Sequence, residues 1–304
     1  IITKHYIEDT KRFCYHKNMT DIQQQTMQKT PKQKLPTKII ALDLDDTLLK
    51  EDLSISDYTV STIQKAAKAG IYIVLCSGRT ENGILPYVRR LEIAGTEAGR
   101  YIISQNGSTI TDLHQRKDIF QAFVPKEILL EVNKTAQKYG LFTEVYDSST
   151  IYVPEDNEWA RVDVKLSGLK MQIIEDYEKF LEKGHPKMLI PGDPEKLQDL
   201  QAELKSALGD KATIFISKPY FLEILPKNCG KGEAIQQLAN HLNIPKENTM
   251  SFGDSMNDES MFTHAEHAVA MKNALPAIKK IAKYITAFTN NEDGVAHFIE
   301  DWVL

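Results

Sequence analysis

Acidic residues that follow two apolar runs are the part of this sequence best suited to chemistry. They stand in Asp43-Leu44-Asp45-Asp46-Thr47 and in Gly253-Asp254-Ser255-Met256-Asn257-Asp258. In an extended backbone, side chains two residues apart lie on the same side, so Asp43 and Asp45 are expected to be neighbours. Close carboxylates suit a hard cation such as Mg²⁺, or a division into a nucleophile, Asp43, and a proton donor, Asp45, for attack on phosphorus. A solvated acidic loop is the alternative for either stretch alone.

Three shorter polar segments suit the binding of a phosphate group. Ser77-Gly78-Arg79 offers a hydroxyl and a backbone amide, and Asn106-Gly107 forms a further polar turn. Such donors hold phosphate oxygens as charge develops on them. Lys231 stands between two glycines before a predicted helix, where an ammonium group neutralises phosphate. Each segment alone is also typical of an ordinary turn, and Asp258 alone suits a plain helix cap.

Apolar runs that alternate with helical stripes predict the elements that position these residues. Ile39–Leu42, 71–75 and 101–103 are continuous apolar runs, as expected for strands covered on both faces of a parallel sheet. A helical stripe over 60–67 lies between the first two runs and ends at Gly70. This alternation predicts an α/β fold with a doubly wound, mostly parallel sheet. In such sheets ligands bind beyond the carboxyl ends of the strands, where the polar segments stand.

The chain divides by pattern into four segments. Residues 1–36 contain a polar glutamine run and a proline-bounded linker, so we expect an appendage outside the catalytic fold. Residues 37–122 and 223–304 carry the alternating pattern of a single α/β core. Residues 123–222 have their own succession of helices and strands, long enough to bury a separate core. We therefore expect an inserted second domain there.

Composition and charge exclude several classes of protein. Hydrophobic residues form 42% and charged residues 26% of the 304 residues, which is the globular range. The formal net charge of −5 gives no reason to expect a nucleic-acid partner. No apolar run approaches the roughly 20 residues that span a bilayer, so we expect no membrane partner. The three cysteines lack metal-ligand spacing and indicate a reducing cytoplasm, while the oligomeric state stays open.

Taken in chain order, the polar segments resemble the four motifs of the haloacid dehalogenase-like superfamily. The matching segments are Asp43-Leu44-Asp45-Asp46-Thr47-Leu48, Ser77-Gly78-Arg79, Lys231-Gly232 and Gly253-Asp254-Ser255-Met256-Asn257-Asp258. Three further segments are similar to the Cof-type phosphatases: Phe221-Leu222-Glu223-Ile224, Val269-Ala270-Met271-Lys272-Asn273-Ala274 and Asn290-Asn291-Glu292-Asp293-Gly294-Val295-Ala296. The resemblance covers nearly everything after Lys38. It implies a Rossmann-like core, an inserted α/β cap and a Mg²⁺-dependent phosphatase that forms an aspartyl-phosphate.

The resemblance also implies roles for the acidic residues. Asp43 matches the nucleophile and a magnesium ligand. Asp45 matches the general acid and base, with its main-chain carbonyl also on the metal. Asp254 matches the third protein ligand of the metal, and Asp258 matches a carboxylate just outside the ligands. All four are therefore expected around one Mg²⁺ ion.

A second set of matches concerns the phosphate group and its ester. Lys231 matches the cation that bridges nucleophile and phosphate. Other residues match the family's remaining contacts with phosphate: Ser77, Gly78, Asn257 and, through its backbone amide, Leu44. Arg79 and Asn106, with cap loops near Lys187 and Asp147, are our own candidates for contacts with the leaving group. The partner implied is a small phosphorylated metabolite, with sugar phosphates as the broad expectation and flavin or pyridoxal phosphates as further options.

Two departures from the family pattern and three alternative functions remain. Asp46 stands where many members have Gly, which does not put catalysis in doubt. Ser104-Gln105 precedes Asn106 where other residues are common, and this second departure leaves specificity open. A phosphomutase on the same scaffold would return the phosphoryl group to a sugar. A non-catalytic phosphate-binding module is disfavoured because Asp43 and Asp45 are both present. A scaffold role has only the amino-terminal segment in its favour.

Overall fold

Two mixed sheets and the helices around them organise the chain. The structure is a computed structural model that describes residues 34–304. The strands of this part are β1 (Ile39–Leu42), β2 (Tyr72–Cys76), β3 (Tyr101–Ser104), β4 (Thr109–Asp112), β5 (Lys117–Gln121), β6 (Glu144–Tyr146), β7 (Thr150–Val153), β8 (Lys170–Ile173), β9 (Met188–Pro191), β10 (Ala212–Lys218), β11 (Phe221–Pro226), β12 (Thr249–Gly253), β13 (His267–Ala270) and β14 (Tyr284–Ile285). Up to position 33, the predicted appendage lies outside the described residues.

The α-helices of the described residues connect these strands. They are α1 (Asp57–Lys68), α2 (Glu81–Arg90), α3 (Lys126–Lys138), α4 (Glu158–Ser167), α5 (Tyr177–Leu181), α6 (Pro194–Leu208), α7 (Lys231–His241), α8 (Glu259–His264), α9 (Pro276–Ile281) and α10 (Gly294–Trp302). The start of α6 follows from its sequence, because Asp193 accepts hydrogen bonds from the first turn and Pro194 occupies the first helical position. None of the described helices is long and apolar enough to cross a membrane.

The first sheet has the order β14-β13-β12-β1-β2-β3-β4-β5. Its strands from β14 to β3 are parallel, and β4 and β5 continue it as an antiparallel hairpin. The chain runs from the central strand β1 through β2 to β3. It later returns to β12, on the other side of β1, and continues through β13 to β14. All four residues of β1 are fully buried, because helices cover this sheet on both faces. The structure and its relatives described below confirm the predicted doubly wound α/β fold.

Strand register brings the polar segments to one edge of this sheet. Leu42, at the end of β1, pairs with Phe252 of β12 and with Leu75 of β2. The three strands therefore end side by side, and the residues that follow them enter the same space. Because neighbouring strands lie about 4.8 Å apart, side chains from adjacent loops are within reach of one another.

The second sheet has the order β10-β11-β9-β6-β7-β8 and is antiparallel except for the pairing of β7 with β8. One face packs under α3, α5 and α6 through an apolar cluster that includes Leu129, Leu200 and Leu222. The other face carries α4 and a smaller apolar cluster. The predicted boundary between 222 and 223 falls inside β11, which pairs with β10 and β9 in this sheet. We therefore propose that the inserted unit ends after Pro226 rather than at 222.

Candidate active site

Asp43 and Asp254 meet where β1 and β12 end. The backbone N–H of Asp43 donates to the carbonyl of Phe252 at 3.1 Å, which keeps the two chain segments paired beyond β1. Gly253 allows the close approach that follows, because a Cβ atom there would lie 2.6 Å from Cβ of Asp258. Thr47 completes the contact between the loops, since its hydroxyl donates to Oδ1 of Asp254 at 3.2 Å.

Lys231 is the cation at the centre of this acidic site. Its side chain is fully buried, and Nζ donates to Oδ1 of Asp43 at 2.5 Å and to Oδ1 of Asp258 at 2.6 Å. Its helix, α7, packs closely on α8, where a Cβ atom on Gly232 would lie 2.0 Å from the carbonyl oxygen of Ser260. The two glycines around Lys231 are thus a packing requirement that places the ammonium group between the carboxylates.

Asp258 organises the loop that carries Asp254. Its Oδ2 accepts the backbone N–H groups of Asp254 at 2.9 Å and Ser255 at 3.1 Å, while its Oδ1 accepts from Lys231. Both oxygens of this fully buried carboxylate therefore have protein donors. Asp258 is better suited to orienting the loop than to binding a cation directly.

The remaining carboxylates fit a hard cation. Single oxygens of Asp43, Asp254 and Asp258 all lie within 4.8 Å of one another, and all three residues are buried. Since both oxygens of Asp258 already accept hydrogen bonds, Asp43 and Asp254 are the carboxylates that can bind the ion. The Oδ2 atom of Asp43 receives no hydrogen bond from the described residues. Mg²⁺ is commonly held by one or two carboxylates together with water and substrate phosphate.

Electrostatics in the cluster favour a bound cation. Burial, followed by the charge of Asp258, raises the pKa of Asp43 from 3.8 to about 7, although Lys231 opposes the shift. Burial and Asp258 likewise hold the pKa of Asp254 well above its ordinary value. Burial alone would lower the pKa of Lys231, but Asp258 and Asp43 outweigh it and raise that pKa. Lys231, which hydrogen-bonds within the cluster, thus leaves the carboxylates undercompensated, and a divalent cation would relieve their repulsion.

Asp45 points away from the cluster toward Arg79. The guanidinium Nε and Nη2 atoms donate to the two carboxylate oxygens at 3.0 and 2.6 Å. Burial would raise the pKa of Asp45, but this bidentate contact outweighs it and lowers that pKa. The next residue, Asp46, has φ of 59°, in the left-handed region that glycine adopts most readily.

The loop after β2 packs against the side chain of Asn106 at Gly78 and offers a backbone amide there. Two hydrogen bonds hold Ser77 in place. Its N–H donates to the carbonyl of Ile103 at 3.0 Å, and its hydroxyl oxygen accepts the N–H of Arg79 at 3.2 Å. The amide of Gly78 donates to no group among the described residues. Leu44 lies between Asp43 and Asp45 with its side chain in the core. The loop thus has a fixed shape and one unused donor.

Asn106 and Asn257 form a second polar cluster between the two sheets. Nδ2 of Asn257 donates to Oδ1 of Asn106 at 3.2 Å, and Nδ2 of Asn106 donates to Oε2 of Glu223 at 2.7 Å. Lys187 lies 3.4 Å from the same carboxylate oxygen and donates to the carbonyl of Gly78 at 3.2 Å. Both asparagines also line a cavity of about 360 Å³ between the sheets.

Sequence reasoning missed part of this arrangement. It gave Glu223 no role, although a single charge inside an apolar strand was a usable signal that the residue is buried against a partner. Cap loops near Lys187 were expected to meet the leaving group, which stays a prediction; the Lys187 side chain itself is buried and pairs with Glu223. Apart from the position of Thr47 in the motif, nothing in the sequence indicated that its hydroxyl donates to Asp254.

Comparison with known proteins agrees with this geometry. The haloacid dehalogenase-like hydrolase family matches residues 40–299. A candidate phosphatase of Streptococcus pyogenes serotype M6 is 32% identical over 268 residues, covering 88% of this chain and 98% of that protein. The HMP-PP phosphatase of Yersinia pestis is 26% identical over 270 residues, covering 88% of this chain and 95% of that protein. A solved haloacid dehalogenase-like hydrolase from Bacteroides thetaiotaomicron is 33% identical, with a TM-score of 0.77 and coverage of 87% and 98%.

The chain belongs to the haloacid dehalogenase-like hydrolases. Within that family it is an enzyme of the phosphoric monoester hydrolase class, and its recognition as a Cof-type member is confirmed.

Proposed function

We propose that the chain is a Mg²⁺-dependent phosphatase that hydrolyses small phosphate monoesters through a phosphorylated Asp43. The observation that supports it best is the buried cluster in which Asp43 and Asp254, from distant parts of the chain, lie around Lys231. Phosphoryl transfer has a loose transition state with charge on the equatorial oxygens, so the protein must supply cations and donors. The site supplies a cation in Lys231 and a hydrogen-bond donor in the backbone amide of Gly78.

The chemistry divides between two aspartates. Oδ2 of Asp43 attacks phosphorus while the bond from phosphorus to the ester oxygen breaks, and Asp45 gives that oxygen a proton. Asp45, now a carboxylate, then takes a proton from water as the water oxygen attacks phosphorus and releases Asp43 and inorganic phosphate. At least one hydrogen bond from Arg79 to Asp45 must break before the first proton transfer, because Arg79 donates to both carboxylate oxygens in the described structure.

Metal and protein donors share the stabilisation of charge. Bound by Asp43 and Asp254, with the main-chain carbonyl of Asp45 as the further ligand implied by the family, Mg²⁺ would neutralise charge on the phosphate. Lys231 keeps Oδ1 of Asp43 in place, and the amide of Gly78 remains for a phosphate oxygen. We assign Ser77, Asn257 and the amide of Leu44 to the same oxygens. In other enzymes the loss of one such donor lowers the rate about 10²–10³-fold.

A covalent-labelling experiment tests this function. The wild type and Asp43→Asn would be mixed with a phosphate monoester carrying ³²P and quenched in acid within milliseconds. We expect an acid-stable, hydroxylamine-sensitive label on the wild type only, and steady-state phosphate release that EDTA abolishes and Mg²⁺ restores. Label on the variant, or undiminished turnover in EDTA, would contradict the proposal, and an isomeric phosphate ester in place of free phosphate would identify a mutase. Measurement in cytoplasmic and membrane fractions would check the cytoplasmic location that we propose.

A further inference from the structure

A row of buried polar side chains crosses one face of the second sheet. Glu144 of β6 and Glu223 of β11 are both in register with Leu189 of β9, so their side chains flank Leu189 on the same face. Tyr146, two residues after Glu144, shares that face, and Lys187 directly precedes β9. All five residues are at most 5% exposed. Carboxyl groups this far from water must be paired or uncharged, because an isolated buried charge is very costly.

The hydroxyl of Tyr146 lies between two carboxyl groups. Its oxygen is 2.7 Å from Oε1 of Glu144 and 2.8 Å from Oδ2 of Asp163 on α4. Burial raises the pKa of Tyr146 well above its ordinary value, so the phenol keeps its proton. A phenol has one proton to donate, and an ionised carboxylate can only accept. If both carboxyl groups were ionised, one of these short contacts would contain no proton, so at least one of them is protonated.

Glu144 is the better site for that additional proton. Its Oε2 atom is buried and makes no hydrogen bond to any described residue, which costs less on a neutral acid than on a carboxylate. Burial, followed by the charge of Asp163, raises the pKa of Glu144 well above its ordinary 4.5. Burial also raises the pKa of Asp163, but there the charge of Lys187 opposes the shift. Tyr177 of α5 adds no charge near Glu144, because burial raises the pKa of its phenol.

Lys187 connects this neutral acid to the loop that carries Gly78. Its Nζ atom lies 4.6 Å from the centre of the Tyr146 ring and 3.4 Å from Oε2 of Glu223, and it donates to the carbonyl of Gly78 at 3.2 Å. An additional carboxylate on the far side of the ring would attract the ammonium group away from Gly78. An uncharged Glu144 leaves Lys187 paired with Glu223 and bonded to the loop.

We propose that Glu144 is an uncharged carboxylic acid in the folded protein and that, with Tyr146 and Asp163, it forms a proton-bridged network that positions Lys187 on the loop of Gly78. The inference rests on the proposed phosphatase function, in which the amide of Gly78 binds a phosphate oxygen. Glu144 is thus a positioning residue, which acts on that amide through Lys187.

The first test measures the pH dependence of unfolding for the wild type and Glu144→Gln. Unfolding exposes Glu144, whose carboxyl group then ionises near its ordinary pKa of 4.5 and releases a proton that the glutamine variant does not have. As the pH rises from 6 to 7, the folding constant of the wild type should therefore fall about tenfold relative to that of the variant. A ratio that does not change with pH would mean that Glu144 is ionised in the folded protein, and it would overturn the inference.

Two control variants locate the proton. Glu131→Gln makes the same chemical change on the exposed side of α3 and should follow the wild type. If Asp163→Asn removes the pH dependence and Glu144→Gln does not, the proton belongs to Asp163 and the inference fails. Infrared difference spectra provide a second measurement, since a protonated carboxyl group has a C=O stretch that a carboxylate lacks. With Mg²⁺ at pH 7 this band should be present in the wild type and absent from Glu144→Gln, and a carboxylate band in its place would overturn the inference.

The second test asks whether the network positions Lys187. Combining Tyr146→Phe with Glu144→Leu removes both donors to Asp163, so its carboxylate should draw Lys187 away from Gly78. We expect the Kd for inorganic phosphate, measured by calorimetry with Mg²⁺, to rise roughly 3–10-fold, the range of one hydrogen bond. Adding Asp163→Asn removes the attracting charge and should restore the wild-type Kd within twofold. An unchanged Kd in the double variant, or no recovery in the triple variant, would overturn the positioning role.

These outcomes are separate from the function on which the inference rests. The pH dependence of unfolding and the infrared band need no turnover, so they decide the charge of Glu144 by themselves. If no ester gives phosphate release that depends on Asp43, the proposed function fails. If esters are hydrolysed while Glu144 proves to be ionised, the network is not as proposed and the phosphatase assignment stands.

Discussion

Replacing the proposed nucleophile should abolish activity and yet make the metal-free protein more stable. In Asp43→Asn the side chain keeps its shape but loses its charge. The wild-type carboxylate is buried near Asp258 and Asp254, with one lysine to oppose them. An asparagine in the same place removes part of that repulsion. The variant thus tests two effects of the Asp43 charge separately: its requirement for catalysis and its cost to the stability of the folded protein.

The size of the effect follows from the pKa of Asp43. A rise from 3.8 to about 7 is roughly three pKa units, and each is worth about 1.36 kcal/mol, which gives on the order of 4 kcal/mol. Because the pKa is raised in the folded protein, the folded state holds the proton more tightly than the unfolded chain. The penalty is therefore absent below about pH 4, grows as the pH rises and is complete above about pH 7. The asparagine variant would lack this penalty at every pH.

Thermal unfolding in EDTA at pH 5 and pH 8 measures this prediction. We expect Asp43→Asn to unfold about 8–16 °C above the wild type at pH 8, since 1 kcal/mol shifts Tm by roughly 2–4 °C in chains of about 150–250 residues. The difference should shrink at pH 5, and Mg²⁺ should stabilise only the wild type. Asp46→Asn, an exposed neighbour in the same loop, is the matched control and should change neither activity nor Tm appreciably. A variant less stable than the wild type at pH 8 would refute the electrostatic argument.

Three further predictions follow from the same geometry. Arg79→Gln removes the guanidinium that lowers the pKa of Asp45, so the pH at which alkyl phosphate hydrolysis begins to decline should rise, while the pH profile for p-nitrophenyl phosphate, whose leaving group needs no proton, should change less; an unchanged profile for alkyl phosphates would contradict the role of Arg79. Gly232→Ala places a Cβ 2.0 Å from the carbonyl of Ser260, so unfolding by urea should show a loss of about 2 kcal/mol or more, whereas Gly83→Ala, whose new Cβ would lie 3.2 Å from Cβ of Arg79, should be mild. Mg²⁺ affinity, measured by calorimetry, should weaken as the pH falls below about 7 because Asp43 must lose its proton to bind, and equal affinity at pH 5 and pH 8 would count against this site.

The sequence was informative where a function depends on local pattern. β1 has the predicted bounds, because an uninterrupted apolar run before a polar loop leaves few alternatives for a strand. Register then follows from the parallel sheet, so Asp43 and Asp254 could be expected at one edge. The glycines beside Lys231 were noted as flanks of a helix start, and their packing against Ser260 became visible only in three dimensions.

Long-range polar pairing could not be predicted from the sequence. The hairpin of β4 and β5 was missed because Thr109–Asp112 contains a single apolar residue, Ile110, although all four of its residues are buried. The bidentate contact between Arg79 and Asp45 joins residues 34 positions apart, and nothing in either motif fixes its geometry. Glu223 lies on β11 and Lys187 directly precedes β9, and the pairing of these two strands was unknown before the sheet was described.

The pairing of Glu223 with Lys187 has a consequence for catalysis. Both residues belong to the inserted unit, are at least nine-tenths buried, and contact the first sheet through Asn106 and through the carbonyl of Gly78. Separating the two sheets would therefore expose or unpair a buried ion pair and at the same moment release the loop whose amide we assign to phosphate. Because an uncompensated buried charge is strongly destabilising, the sheets and the loop should order together rather than in sequence. Closure over a substrate and formation of the phosphate-binding loop are thus expected to be a single event.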